Sequence, residues 1–211
     1  MKILVINPNS DETTNERMRK KITEFVKGEY EVDVISLVST PKLVSTYEDQ
    51  VKGAPELMEL IKNRNEYDAF IIACHGDPNL DLAKEITDKP VVGIAEASMK
   101  IASMYGNSFA VISPSIKSIS KKRALARKYF CEDLFVTTRV SESNEAEELY
   151  RAAKAAVEEE HVDGIVLGCA NYVNADQYIE QRLKVPVYDG LACALFIANG
   201  LVKYKHYKEN K

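Results

Sequence analysis

The sequence predicts an α/β fold of two pseudo-symmetric halves, each a mostly parallel sheet flanked by helices, with the active site in the cleft between them. Unbroken apolar runs at 3–6, 70–73, 109–112 and 164–167 are typical of strands buried on both faces, as in a parallel sheet. Strand-like and helix-like segments alternate along the chain, which is the pattern of βαβ units. The two halves also resemble each other in sequence, which indicates a duplicated α/β unit.

The first half begins with a strand at 2–6 that runs into Asn7-Pro8-Asn9-Ser10. A basic helix follows to about residue 27. Asn9 or Ser10 is expected to cap this helix, and Gly28 ends it. Residues 40–47 are expected to form a loop. The other elements predicted in this half are strands at 30–37, 70–73 and 91–94 and helices at 54–63, where Pro55 suits the first turn, and at 80–87.

The pattern then restarts with a helix at 95–105, which ends at the turn Gly106-Asn107. The apolar strand at 109–112 runs into Ser113-Pro114-Ser115. A basic helix at 116–129 follows, and its inward face is expected to carry Ile119, Ala124 and Leu125. The other predicted elements are strands at 133–139, 164–167 and 185–188, helices at 145–160, 175–183 and 191–200, and a charged tail at 204–211.

The spacing of two cysteines supports the duplication. The stretch 3–10 matches 109–116, since each is a strand that runs into a proline turn. Cys74 and Cys169 lie 66 and 55 residues after those prolines, and 16 and 17 residues before the proline that opens the next strand. We therefore predict a first half at 1–97 and a second half at 98–190, with the C-terminal helix 191–211 packing back on the first half.

Composition limits the classes of function. The chain has 211 residues, a net charge of −4 and a sequence pI of about 5.6, which gives a nucleic-acid partner no support. The strand-like start at Ile3 leaves no room for a signal peptide, and no apolar run approaches the ~18 residues of a membrane span. We therefore expect a cytoplasmic protein with a small-molecule substrate, in which the four cysteines are free thiols, metal ligands or catalytic groups. A homo-oligomer is expected on size alone.

Both repeated cysteines follow the carboxyl end of a predicted buried strand, where ligands of α/β sheets bind. Two thiols on opposite faces of one carbon permit stereochemical inversion: one thiolate removes a proton and the other thiol returns one from the opposite side. An unperturbed thiol has a pKa of about 8.5, and the helices predicted to begin at Leu80 and Ala175 would favour the anion. This chemistry needs no metal and no cofactor.

Four stretches carry a resemblance to a known family. They are Asn7-Pro8-Asn9-Ser10, Ala73-Cys74-His75-Gly76-Asp77-Pro78, Pro90-Val91-Val92-Gly93-Ile94-Ala95-Glu96-Ala97 and Leu167-Gly168-Cys169-Ala170. In this order they resemble the aspartate/glutamate/hydantoin racemase superfamily, with the closest match to its hydantoin and allantoin racemase branch. The resemblance runs along nearly the whole chain and implies a cofactor-independent racemase of two α/β halves.

The resemblance also implies roles for particular residues. Cys74 and Cys169 would be the paired acid and base. The loops after the first strand of each half, around residue 45 and after each cysteine would bind the substrate. The substrate-binding residues implied in this way are Asn7, Asn9, Ser10, Ser45, His75, Gly76, Ser113, Ala170 and Asn171.

Departures from the family pattern bear on the substrate. The branch usually has Phe where this chain has His75, and Ala-Gly-Met where it has Ala170-Asn171-Tyr172. Relatives that act on free aspartate or glutamate tend to carry a hydroxyl residue two places after each cysteine, where this chain has Gly76 and Asn171. Asp77 would repel a dicarboxylate if it faced the site. A neutral cyclic ureide or imide, such as a 5-substituted hydantoin or allantoin, fits these residues better.

Other interpretations stay open. The same fold serves amino-acid racemases, maleate-type isomerases and decarboxylases, and a binding protein that has lost the chemistry would keep the cleft. Cys74 and Cys169 would then be small residues at strand ends, or would form a disulfide in an oxidised sample. A zinc site is disfavoured because no Cys/His set has the usual spacing. His75 is expected to tune Cys74, contact the substrate or face solvent, whereas His161 is expected at the surface and Cys193 in the core.

Overall fold

The fold is described from a computed structural model, which covers residues 1–172 and 174–209. Contacts divide the chain into two compact units. Unit 1 is Met1–Ile94 together with the C-terminal segment from Ala194, and unit 2 is Ala95–Cys193. Within residues 1–172 and 174–209, every helix falls short of the length or hydrophobicity that a transmembrane span requires.

Unit 1 is built on a four-stranded parallel sheet in the order β2-β1-β3-β4. The two central strands are buried on both faces, which explains why their sequences are continuously apolar. The elements are β1 (Lys2–Asn7), α1 (Glu12–Val26), β2 (Glu31–Ser36), α2 (Tyr47–Lys52), α3 (Ala54–Asn63), β3 (Ala69–Ile72), α4 (Leu80–Glu85) and β4 (Val91–Gly93). Helix α5 (Ile94–Tyr105) then leads into unit 2.

Unit 2 repeats this arrangement with a parallel sheet in the order β6-β5-β7-β8. The elements are β5 (Phe109–Ser113), a 3₁₀ turn (Ile116–Ser118), α6 (Ile119–Lys128), a second 3₁₀ turn (Glu132–Leu134), β6 (Phe135–Val140), α7 (Ala146–Glu160), β7 (Gly164–Leu167), α8 (Ala175–Leu183) and β8 (Val187–Asp189). Helix α9 (Gly190–Glu209) closes the described chain. The predicted α/β class, with two similar halves and parallel sheets, is confirmed.

The structure corrects three details of the first unit and the C-terminus. The predicted loop at 40–47 is followed by an unpredicted helix, α2, which has a Thr46–Asp49 capping box. The N-cap position of α1 is Asp11 and not Asn9 or Ser10, and it makes no side-chain cap hydrogen bond. The Asn9 side chain instead accepts the Asp11 N–H at 2.9 Å. The predicted charged tail continues α9 as a helix through Glu209.

The basic helix of unit 2 also differs from its prediction. The first turn is a 3₁₀ turn, and α6 begins only at Ile119. Its buried residues are Lys122 and Ala126, whereas Ile119 and Ala124 are exposed and Leu125 is half-buried. A buried lysine on this helix was not expected from the apolar pattern.

Candidate active site

Each unit brings two loops to the carboxyl edge of its sheet. In unit 1, Ile6 of β1 lies in register with Ile72 of β3, so the loop that begins at Asn7 and the loop that holds Cys74 leave the same edge. In unit 2, Ile112 lies in register with Leu167, so the loops that hold Ser113 and Cys169 leave the corresponding edge. The predicted site residues of each unit therefore collect where ligands of parallel sheets bind.

The backbone hydrogen bonds around the two cysteines follow the same pattern. The residue before each cysteine donates its N–H to the central strand, from Ala73 to Ile6 at 2.9 Å and from Gly168 to Ile112 at 2.7 Å. The cysteine carbonyl then accepts the N–H of the third residue along, from Asp77 at 2.9 Å and from Tyr172 at 3.3 Å. This turn leaves both Cys74 and Cys169 partly exposed as free thiols.

The side chains after Cys74 are packed inward. His75 is 2 % exposed, so it does not face solvent, and Asp77 is 4 % exposed. The Asp77 carboxylate lies over Gly93, where a Cβ would come within 2.4 Å of Asp77 Cγ. Gly76 is different, because a Cβ there would lie 3.8 Å from Cys74 Sγ, at ordinary contact distance. A methyl group at Gly76 would therefore fit beside the thiol without a clash.

Helix α2 contributes a residue that the sequence analysis missed. The Gln50 side chain borders the space beside Gly76, because its Nε2 atom lies 3.6 Å from the position of a Gly76 Cβ. The helix is tied to the cysteine loop by a hydrogen bond of 2.7 Å from Asn79 Nδ2 to the Gln50 carbonyl. Gln50 could have been identified from the sequence only if helix α2 had been predicted.

Ser45 lies just before α2 and is exposed. Its N–H donates to Asp49 Oδ2 at 3.0 Å, and its hydroxyl lies 3.5 Å from the same oxygen. Hydrogen bonds from the Thr46 backbone and hydroxyl and from the Ser45 backbone lower the pKa of Asp49 to about 2. The carboxylate therefore holds this loop in one conformation.

The first loop of unit 1 is held by its own amides. Asn7 is fully buried and donates through Nδ2 to Asn15 Oδ1 at 2.8 Å. The Asn7 Oδ1 atom accepts the N–H of Asn9 at 3.3 Å. Ser10 donates its N–H to the Pro41 carbonyl at 3.3 Å, which ties this loop to the one that precedes α2. Asn9 and Ser10 stay partly exposed at the edge, while Asn7 supports them from below.

Ser113 occupies the place in unit 2 that Asn7 occupies in unit 1. It is fully buried, and its Oγ atom lies 2.5 Å from Ser118 Oγ. The Ser118 hydroxyl also donates to the Ser115 carbonyl at 2.5 Å. Ser113 is therefore part of a hydroxyl chain that fixes the turn before α6.

Polar groups with unmet hydrogen-bonding capacity follow Cys169. Asn171 Oδ1 and Tyr172 Oη are both buried and have no hydrogen-bond partner within residues 1–172 and 174–209. Burial raises the pKa of the Tyr172 phenol, and a thiolate at Cys169 raises it further. Tyr172 therefore stays neutral and lies within electrostatic reach of the thiol. Ala170, which lies between Cys169 and Asn171 in the sequence, is half-buried.

The other candidate groups are buried in the core or lie at the surface. Cys193 is buried, as predicted, and so is Cys131, whose thiol contacts the Tyr129 carbonyl at 3.3 Å. His161 is exposed at the end of α7, as predicted. Within the described part of the chain, no group of three or more His, Cys, Asp or Glu side chains is placed to hold a metal ion.

Each α/β unit presents a thiol at the carboxyl edge of its sheet, where ligands of parallel sheets bind. This arrangement is typical of the general class of enzymes that act on small molecules. The family is identified by comparing the sequence with those of known proteins. The chain belongs to the Asp/Glu/hydantoin racemase family, whose sequence model matches residues 3–197.

Three relatives illustrate the match. The chain is 34% identical to a hydantoin racemase of Pseudomonas sp. (strain NS671), over 99% of this chain and 91% of the relative. It is 32% identical to a hydantoin racemase of Paenarthrobacter aurescens, over 96% of this chain and 91% of the relative. The solved structure of an allantoin racemase from Klebsiella pneumoniae superposes with a TM-score of 0.90 at 25% identity, over 97% of this chain and 89% of that one. This chain is an isomerase of the racemase type.

Proposed function

We propose that this enzyme racemises a neutral cyclic ureide, a 5-substituted hydantoin or allantoin, with Cys74 and Cys169 as the paired acid and base. Relatives named hydantoin racemase and a structural relative named allantoin racemase support the substrate class. The observation that carries the chemistry is the shared pattern of backbone hydrogen bonds around the partly exposed cysteine at the sheet edge of each unit.

The proposed reaction is a proton exchange at one carbon. One cysteine thiolate takes the proton from the carbon next to the ring carbonyl, and the electron pair moves into the carbonyl to give an enolate. The thiol of the other cysteine then delivers its proton to the opposite face, which leaves a thiolate there. The roles are reversed for the other enantiomer. This scheme requires that both sulfur atoms reach the same carbon.

The loops support a neutral ring as substrate. Gly76 leaves space beside the Cys74 thiol, and the unsatisfied Asn171 Oδ1 atom is an acceptor that a ring N–H of a ureide would satisfy. Asp77 brings a buried carboxyl group into the loop that carries Cys74, which would disfavour a dicarboxylate. Free aspartate and glutamate are therefore the weaker candidates.

The test is proton exchange in heavy water followed by NMR and polarimetry. Single enantiomers of several hydantoins, allantoin, aspartate and glutamate are incubated with reduced wild type, Cys74→Ser and Cys169→Ser, with Cys193→Ser as the matched control. We expect exchange with loss of optical activity for a ureide, and each active-site variant should abolish racemisation or restrict exchange to one enantiomer. If Cys74→Ser racemises as fast as wild type, the two-thiol mechanism is wrong. If folded, reduced wild type exchanges no compound, the substrate assignment is wrong.

A further inference from the structure

A row of hydrogen bonds links the first turn of α1 to the loop that follows β1, at residues 7–10. Asn15 Nδ2 donates to Oε2 of the exposed Glu12 carboxylate at 2.7 Å. Asn7 Nδ2 donates to Asn15 Oδ1 at 2.8 Å, and the N–H of Asn9 donates to Asn7 Oδ1 at 3.3 Å. The two amides in the middle of the row are fully buried. The row therefore runs from the surface through the interior to a loop at the carboxyl edge of the sheet.

The chemistry of the two ends fixes the direction of every bond in the row. A carboxylate can only accept, so Glu12 must face the Nδ2 group of Asn15, which leaves the Asn15 oxygen for Asn7. A backbone N–H can only donate, so Asn9 must face the Asn7 oxygen, which leaves the Asn7 Nδ2 group for Asn15. The two requirements agree. A flip of either amide would bring two donors or two acceptors together and leave buried polar groups unsatisfied.

Further contacts hold the Glu12 end of the row in place. Arg19 donates from Nη1 to Glu12 Oε1 at 2.6 Å and from Nη2 to the Val34 carbonyl of β2 at 3.1 Å. Asn15 Nδ2 also donates to Ser36 Oγ, at the end of the same strand, at 2.8 Å. Both the carboxylate and the first amide are thus anchored to β2.

The Asn9 side chain is oriented in the same way. Its Oδ1 atom accepts the Asp11 N–H at 2.9 Å, so its Nδ2 group carries the donors that remain. Asn9 is partly exposed at the sheet edge where ligands of parallel sheets bind. A ring carbonyl of a ureide is an acceptor that this amide can bind.

We propose that Asn15 is a positioning residue for the loop at 7–10: its amide, directed by the Glu12 carboxylate, holds Asn7 so that Asn9 is presented to a ring carbonyl of the substrate. The role rests on the proposed function, which supplies the ureide. Asn15 is fully buried and acts through Asn7, so its loss should weaken substrate binding more than proton transfer.

The test compares two substitutions of Asn15 in a Glu12→Gln background. Asn15→Asp keeps an acceptor for Asn7, and the new glutamine amide can donate to the new carboxylate, so the direction of the row is preserved. Asn15→Leu has a similar size but removes the acceptor. A role in packing alone predicts the opposite order, since a buried site accepts leucine more readily than a carboxylate.

The first measurement is amide hydrogen exchange of Asn9 by NMR, which needs no substrate. We expect exchange about fivefold faster in the Leu variant, the typical worth of one hydrogen bond, and within about twofold of the Glu12→Gln parent in the Asp variant. Met18→Leu is the matched control, because it repacks the buried face of α1 one turn further along and should leave Asn9 unchanged. Equal exchange in the Leu and Asp variants overturns the proposal. If the Leu variant does not fold, Asn15→Ala takes its place with the same two readings.

The second measurement is the kinetics of ureide racemisation. KM should rise about fivefold in the Leu variant and return toward the parent value in the Asp variant, with a smaller change in kcat. Equal KM values in the two variants overturn the role in substrate binding. If wild type racemises no ureide, the proposed function fails, whereas the exchange of Asn9 still decides whether Asn15 positions the loop.

Discussion

Asn79 and Asn174 share one backbone conformation at equivalent points of the two units. Each lies five residues after its cysteine and adopts the left-handed region, with φ of 56° and 60°. Each occupies the N-cap position of the helix that follows, without a side-chain cap hydrogen bond. Asn is the non-glycine residue that tolerates this region best. The pair therefore sets the direction in which both cysteine loops enter α4 and α8.

Substitutions of Asn174 should show that the left-handed backbone at this position favours asparagine or glycine. Asn174→Ala is expected to destabilise the protein by about 1 kcal/mol, because alanine pays the steric cost of left-handed backbone, while Asn174→Gly should be neutral or slightly stabilising. Urea unfolding followed by circular dichroism measures both. Equal stability of the Ala and Gly variants would show that the conformation is not what selects asparagine there.

Asn79 should behave differently, because its side chain also binds the Gln50 carbonyl at 2.7 Å. Asn79→Gly relieves the backbone but removes this hydrogen bond, worth about 1 kcal/mol. We therefore expect the Gly variant at 79 to be less stable than the Gly variant at 174, with faster amide exchange in α2. A gain in stability at both positions would argue against the tie between α2 and the cysteine loop.

Much of this fold could be predicted from sequence, because fully buried parallel strands leave an unambiguous apolar signal. β7 and α8 have the predicted bounds, and α3 has them too. Helix α2 was missed since it buries no residue and depends on a capping box rather than an apolar face. Its six residues gave no periodic pattern to detect.

The residues that support the two cysteines were harder to predict than the cysteines themselves. Cysteines at the carboxyl ends of apolar strands are visible in the sequence, and the turn geometry follows from the strands. The position of Gln50 in the site depends on helix α2, which was not predicted. Lys122 depends on a hydrogen bond to a carbonyl 46 residues away, and a basic helix gives no hint of which lysine faces inward. Tertiary contacts decide both, and no local pattern encodes them.

Two glycines of unit 1 give a matched pair of substitutions. Gly93→Ala is expected to destabilise the protein by about 1–3 kcal/mol, because the new Cβ would overlap the buried Asp77 carboxylate. Gly76→Ala should leave stability nearly unchanged, since its Cβ meets only ordinary contacts, but should reduce turnover because it fills the space beside Cys74. Thermal unfolding and racemase assays on both variants separate the two effects. Full activity in folded Gly76→Ala would show that substrate does not use this space.

Tyr172 offers a test of an unsatisfied buried hydroxyl. Removal of an unpaired buried polar group relieves a desolvation cost, so Tyr172→Phe should be as stable as wild type or more stable by about 1 kcal/mol. If the hydroxyl binds substrate, KM should rise while stability does not fall. Destabilisation by more than 1 kcal/mol would mean that the hydroxyl has a partner in the folded protein.

The loop before α2 should lose stability in acid. The pKa of Asp49 is about 2 in the folded protein against an ordinary value of 3.8. A lowered folded pKa contributes stability that is fully present above the unfolded value and is lost as pH falls through the folded value. The advantage of wild type over Asp49→Asn should therefore be constant at neutral pH and roughly halved by pH 3. Unfolding midpoints from pH 3 to 7 give the comparison, and a gap that does not narrow would contradict the assignment.

Gln50 should control the ionisation of Cys74 from the Gly76 side. The Gln50 amide and the Cys74 thiol border the same space, at 3.6 Å and 3.8 Å from the position of a Gly76 Cβ. Gln50→Glu keeps the size of the side chain and adds a negative charge, which disfavours the thiolate and should raise the pH midpoint of Cys74 alkylation by iodoacetamide, read by peptide mass spectrometry, by about one unit. Gln50→Met, which removes the amide without a charge, is the control and should shift it far less. The Cys169 midpoint in the same samples should move less than that of Cys74, and an unmoved Cys74 midpoint in folded Gln50→Glu would place the residue outside the site.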